Sequence, residues 1–250
     1  MVHHHRALRH WDRWLTHHFV GQYLLRAEQS LLTTLLKQHY GKHALLIGMP
    51  CQASLLQATH IPCHALINPL SHTLKASTTT PLRWERVIDS DLHELPIQTG
   101  SVDLVLLAHT QEFIENPHQL LMEACRVVKP EGLIAIIGFN PFSLWNLRKF
   151  SEMGRFISAY KIKYWLKLAD FELEQKKTIL FRPPIRQESL YQKLACLEKI
   201  ACLPGLGGVY ILLARAKVVP LTPIRMQWKQ PLTSMTISTS MTGHVAHHSK

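Results

Sequence analysis

Apolar positions along the chain follow two periods in turn. Residues 1–20 are His- and Trp-rich and hold no sustained repeat, so they are expected to be irregular. From Gly21 to His39 the pattern changes. Leu24, Leu25, Leu31, Leu32, Leu35 and Leu36 recur at helical spacing and the run stops at Gly41, which predicts a leading amphipathic helix over 21–39. Strand-like runs then alternate with helical ones. Strands are expected at 43–48, 63–68, 83–89 and 102–108, with a short helix over 51–59. The run Val102–Ala108 is almost continuously apolar, as a strand buried on both faces requires. An amphipathic helix over 117–128 is stopped by Lys129-Pro130-Glu131-Gly132, where proline and glycine predict a turn before a strand at 133–139. A helix follows over 159–169, and 171–181 with 208–217 read as an antiparallel edge pair.

These elements specify an α/β fold. Seven strands form one mostly parallel sheet, with helices on both faces, because alternating β and α segments with short links leave few other topologies. The domain is expected to span 21–217, with 1–20 as an irregular leader and 218–250, rich in Ser, Thr, Met and Pro, as a disordered basic tail.

Composition narrows the classes. The chain has 250 residues, 46% of them apolar, enough for a sizeable core. No transmembrane segment is expected, because no window holds 18 uninterrupted apolar residues. The first residues lack the apolar run of a secretory signal. The five cysteines form no CxxC pair, which argues against a disulfide framework or a zinc ribbon and for a cytoplasmic protein. His3, His4 and His5 are read as incidental, and no metal is expected. The formal charge is +11 and is concentrated. Between 148 and 167, Arg148, Lys149, Arg155, Lys161, Lys163 and Lys167 face Glu152 alone, interleaved with Phe150, Phe156, Tyr160, Tyr164 and Trp165. Such a stretch is either an ordinary solvated face or an attachment site for nucleic acid or another anionic surface.

The most informative segment runs from Asp89 to Gly132. It holds Asp91, Leu95-Pro96, Ser101-Val102-Asp103-Leu104-Val105 and then Arg126-Val127-Val128-Lys129-Pro130-Glu131-Gly132. In residue type, order and spacing it resembles the class I S-adenosylmethionine (SAM) methyltransferases of the type 11 group. The block Gly138-Phe139-Asn140-Pro141 and the ending Val219-Pro220-Leu221-Thr222 resemble the bacterial YafS-like branch of that group. The resemblance implies a Rossmann-like fold, SAM as cofactor and a methyl acceptor that the sequence does not name. It also implies roles for single residues. Asp91 would accept a hydrogen bond from the adenine amine, and the Leu92 amide would read the ring. Gly48 would belong to the loop around the amino-acid end of SAM, and Asn68 would stand where the ribose is held. His109 would wall the methyl-transfer region or act there as a base. Asn140 and Trp145 would line the acceptor side.

Two departures from the family pattern matter. The loop after the first strand reads Gly48-Met49-Pro50-Cys51-Gln52, so one glycine of the usual three remains and Pro50 removes an amide donor. Asn68 replaces the usual ribose-binding acid, a change worth about 1–3 kcal/mol. Three readings therefore stand. The first is a SAM-dependent methyltransferase acting by direct in-line displacement. The second is a degenerate, non-catalytic binding module, which Met49 or Gln52 filling the space around Gly48 would favour. The third is a nucleic-acid-modifying or nucleic-acid-binding protein.

Overall fold

A computed structural model describes residues 2–70, 86–90, 92–146, 154–182 and 207–217. The elements are α1 (Val2–His17), α2 (Phe19–Leu35), β1 (His43–Ile47), a 3-10 helix (Pro50–Ala58), β2 (Cys63–Asn68), β3 (Arg86–Asp89), β4 (Val102–Ala108), a 3-10 turn (Thr110–Glu112), α3 (Pro117–Val127), β5 (Val128–Phe139), α4 (Ala159–Leu168), β6 (Phe171–Ile179) and β7 (Val209–Ala216). The seven strands make one sheet in the order β3-β2-β1-β4-β5-β7-β6. The first five pair in parallel. β7 lies antiparallel between β5 and β6. The mostly parallel seven-stranded sheet is the one the periodicity predicts. The chain divides into units of 1–218 and 219–250; the tail expectation for 218–250 lies outside the described residues, as does 83–85 of the expected third strand.

The β4 sequence shows why both faces are covered. Leu104 and Leu106 point into one apolar core, with side chains of α1 and α2. Val105 and Leu107 point into the other, with side chains of α3 and α4. The period-two alternation of a strand feeds two layers, so every position from Leu104 to Ala108 is apolar.

The N-terminus corrects an expectation. Residues 2–17 form helix α1 rather than an irregular leader. Leu8, Trp11 and Leu15, at helical spacing, are all buried in the α1–α2 core. This short stripe is masked in sequence by the surrounding histidines and arginines. The α1–α2 corner is capped by His18, whose Nδ1 accepts the Val20 amide at 3.3 Å. Gly21 lets the helices touch: a Cβ there would lie 2.6 Å from the Trp14 carbonyl oxygen.

A second correction concerns residues 129–132. The expected turn is absorbed into β5, which starts at Val128 with a register shift against β4. Glu131 takes a left-handed φ of 64° there. An ion pair holds the irregularity in place. Lys129 Nζ donates to both Asp103 carboxylate oxygens at 2.9 Å. Asp103 also accepts the Lys42 and His43 amides at 3.0 Å. Burial alone would raise the Asp103 carboxyl, but these donors hold it below the usual range. Arg126 likewise donates to the Leu95 and Ile97 carbonyls and to Glu123, pinning the Leu95-Pro96 loop. The most recognisable motif residues of the chain are therefore architectural.

Candidate functional site at the carboxyl ends of the strands

Strand order reverses between β1 and β4, and ligands of open α/β sheets sit outside the carboxyl ends of the strands at such a point. Gly48 leaves β1 there, its amide donating to the Ile67 carbonyl on β2 at 3.1 Å. Beside it Gln52 folds back. Its Oε1 accepts the Met49 amide at 2.9 Å and would stand 2.8 Å from a Cβ on Gly48. Gln52 and Met49 are fully buried. Pro50 opens the 3-10 helix, where its missing N–H does no harm. The loop after β1 is thus a tight turn plugged by its own glutamine.

Asn68 ends β2 and is buried. Its Oδ1 accepts the Leu70 amide at 3.1 Å and its Nδ2 donates to the Leu70 carbonyl at 3.4 Å. Both amide ends serve its own turn. Leu92 packs into the core beneath α3. Asp91 lies outside the described residues.

His109, at the end of β4, is the centre of the site. It is fully buried, with a left-handed φ of 57°. Its Nε2 meets Glu28 Oε1 of α2 at 2.8 Å and its Nδ1 meets Glu112 Oε2 at 3.3 Å. Glu112 also accepts the Phe139 amide through Oε1. Phe139 and Trp11 cover the imidazole at 4.4 and 5.3 Å between ring centres. Burial alone would depress the imidazole, but the Glu28 and Glu112 carboxylates override it and push it up to about 9. Burial raises the Glu112 carboxyl, with His109 opposing. The result is a protonated imidazolium clamped between two acids in a dry aromatic shell, a low-dielectric setting in which charge interactions are strong.

On the acceptor side, Asn140 and Trp145 are held by the protein itself. Asn140 donates to the Gly207 carbonyl at 3.0 Å and accepts the Phe142 amide at 3.1 Å. Trp145 is buried, donates to the Arg182 carbonyl at 2.8 Å and stacks on Phe139 at 5.5 Å. Their neighbours Phe142 and Leu144 are exposed instead.

The structure thus gathers Gly48, Asn68 and His109 at one end of the sheet, joins Trp145 to them through Phe139, and leaves Leu92 in the core. Sequence reading missed Glu28, Glu112 and Trp11, and named Gln52 only as a side chain that could fill the space beside Gly48. Glu28 did carry a signal: it takes a core position in the series Val20, Leu24, Glu28, Leu32 of α2, where every other member is apolar. A carboxylate in such a register needs a buried partner.

Fit to SAM can be tested on orphaned polar atoms. Glu28 Oε2, Gln52 Nε2 and Trp11 Nε1 are buried without a hydrogen-bond partner among the described residues. An acceptor and two donors left unsatisfied at this end match the ammonium and carboxylate of an amino-acid moiety, the part of SAM that a glycine loop ordinarily holds. Among the described residues no group of three His, Cys, Asp or Glu side chains could hold a metal.

Comparisons with known proteins agree with this architecture. Residues 62–136 match the family described as a methyltransferase domain. The chain is 30% identical over 222 residues to the uncharacterized protein YafS of Escherichia coli, covering 84% of each chain. Among solved structures, the protein bound to a methyltransferase activator of Haloferax volcanii superposes with a TM-score of 0.63 at 12% identity, covering 86% of this chain and 98% of that one. A SAM-dependent methyltransferase of Thermotoga maritima superposes with a TM-score of 0.60 at 18% identity, covering 86% and 97%. At these identities the structures speak for the fold.

Proposed function

The chain belongs to the YafS family within the class I, type 11 SAM-dependent methyltransferases, and from that premise we propose that it moves a methyl group from SAM to an acceptor by direct in-line displacement. The observation that carries the reading is the buried Glu28–His109–Glu112 constellation at the point of strand reversal, with polar atoms beside it that lack partners. When bound, SAM supplies an activated methyl group on a sulfonium. The protein's part is to bind, to orient and to exclude water. Gly48 and Gln52 would hold the amino-acid end, Asn68 the ribose, and Asp91 with the Leu92 amide the adenine. His109, held charged by its two carboxylates, would set the field around the reacting centre, and Asn140 with Trp145 would shape the acceptor side. The free thiols Cys51, Cys63 and Cys125 suit a cytoplasmic setting.

Isothermal calorimetry with SAM and with its demethylated product tests the reading. Binding of either should be seen well below a dissociation constant of about 1 mM. No heat from either ligand at that level would sink it.

One observation favours the second reading, a non-catalytic module. Gln52 occupies the space beside Gly48 and Asn68 is consumed by its own turn. Under it neither ligand binds, and mass spectrometry of the purified protein finds no co-purifying nucleoside.

A further inference from the structure

Helix α4 packs through Ile162 and Leu166 onto the core and leaves its opposite face bare. Along that face Tyr160, Tyr164 and Leu168 follow one another at four-residue spacing, making a ridge of about 12 Å. They are large and exposed, at 81%, 56% and 56%. Lys163 and Lys167 run along one side of the ridge and Lys161 along the other, all exposed. Lys161 rests over the Trp165 ring at 5.1 Å. No side-chain hydrogen bond or ion pair among the described residues engages Lys163 or Lys167. From Arg155 to Ala169 the chain carries four basic side chains and no acid.

We propose that this face of α4 seats the protein on a bilayer surface rich in anionic lipid. A stripe of tyrosine and leucine flanked by lysines is the arrangement an interfacial helix needs. The rings and the isobutyl group enter the headgroup boundary, while the lysine stems lie along it and carry their charges to lipid phosphates. Charge complementarity alone would also admit single-stranded nucleic acid. Two features favour lipid. The rings stand on a convex ridge, whereas strand-binding proteins stack bases within a basic groove. Leu168 offers a base no ring to stack on but adds apolar area to a membrane contact. The inference does not depend on methyl transfer.

The test is sedimentation of the full chain with vesicles of phosphatidylglycerol mixed into phosphatidylcholine, and of phosphatidylcholine alone. Wild type is expected to bind the first and not the second. Lys161→Glu, Lys163→Glu and Lys167→Glu together should weaken binding by at least roughly 100-fold, about fivefold for each lysine charge lost. Tyr160→Ser, Tyr164→Ser and Leu168→Ser together should abolish the binding that survives high salt. All six positions are exposed, so both triple variants should keep the wild-type melting temperature. Wild-type binding by either variant, or equal binding to both vesicle types, overturns the proposal. A single-stranded RNA oligomer that binds more tightly than the vesicles, and is lost with the lysine variant, would reassign the face to nucleic acid.

Discussion

A histidine with no exposed surface, held by two carboxylates, makes a claim about pH. His109 ionises near pH 9 in the folded protein against an ordinary value of 6.5. A raised value means that the folded state binds the proton more tightly. The stabilisation is therefore complete below about pH 6.5 and is lost as pH rises through 9, by up to about 3 kcal/mol. Glu112, raised by its burial, acts in the same sense. Denaturation curves across this range should show that loss, and the His109 ring signals in NMR should not titrate near neutrality. Titration close to 6.5 would refute the clamp. In Glu28→Gln the imidazole value should fall and the alkaline loss should shrink. Glu28→Ala, which removes one of the two carboxylates and leaves His109 Nε2 buried without a partner, should cost about 1–3 kcal/mol. At Asn68 the expectation runs towards binding. Asn68→Asp restores a charged acceptor and should tighten SAM by about 10-fold, with some stability lost as the Leu70 carbonyl loses its donor. Unchanged affinity would separate Asn68 from the cofactor. Of this site, Gly48, Asn68 and His109 were legible because they follow strand ends. Glu28 and Trp11 were not, since helices far away in sequence bring them there.

At the scale of elements, the cover over the site is helical and depends on one close contact. α1 reaches the site only because it crosses α2 at Gly21, where any side chain would meet the Trp14 carbonyl. Gly21→Ala should therefore destabilise the protein by about 1–3 kcal/mol, although alanine is the better helix former. Urea denaturation measures it, and a stabilised variant would show that the helices can separate freely. The same crossing explains how far the fold could be read from sequence. The strands were legible because β4 and β5 are buried on both faces and show nearly unbroken apolar runs. The antiparallel pairing of β6 with β7 was legible as two extended segments on either side of the 183–206 stretch, whereas the insertion of β7 between β5 and β6 was not. α1 was not legible, because its stripe is only three residues deep in a run dominated by histidine and arginine. The start of β5 was missed for a different reason. Proline and glycine signal a turn locally, but the Asp103–Lys129 pair and the left-handed Glu131 keep the chain in the sheet.

For the molecule as a whole, the two functional readings predict different responses to ligand. A cofactor that binds only the folded state adds stability through mass action, about 2.7 kcal/mol at one hundred times its dissociation constant. For a chain of this size that corresponds to a rise of about 5–10 °C in melting temperature. The rise should require the plugged loop to yield. Gln52 Oε1 is held by the Met49 amide while its Nε2 has no hydrogen-bond partner among the described residues, so making room for a ligand at Nε2 beside Gly48 consumes part of the binding energy. Gln52→Ala removes the plug. If the chain is a methyltransferase whose Gln52 holds the amino-acid end, the variant should be less stable without ligand and gain a smaller shift with SAM than the wild type. If it is a non-catalytic module, neither protein should respond to SAM. A Gln52→Ala variant that responds to SAM as strongly as the wild type would show instead that Gln52 only plugs the loop, since losing a direct ligand of the amino-acid end must lower affinity.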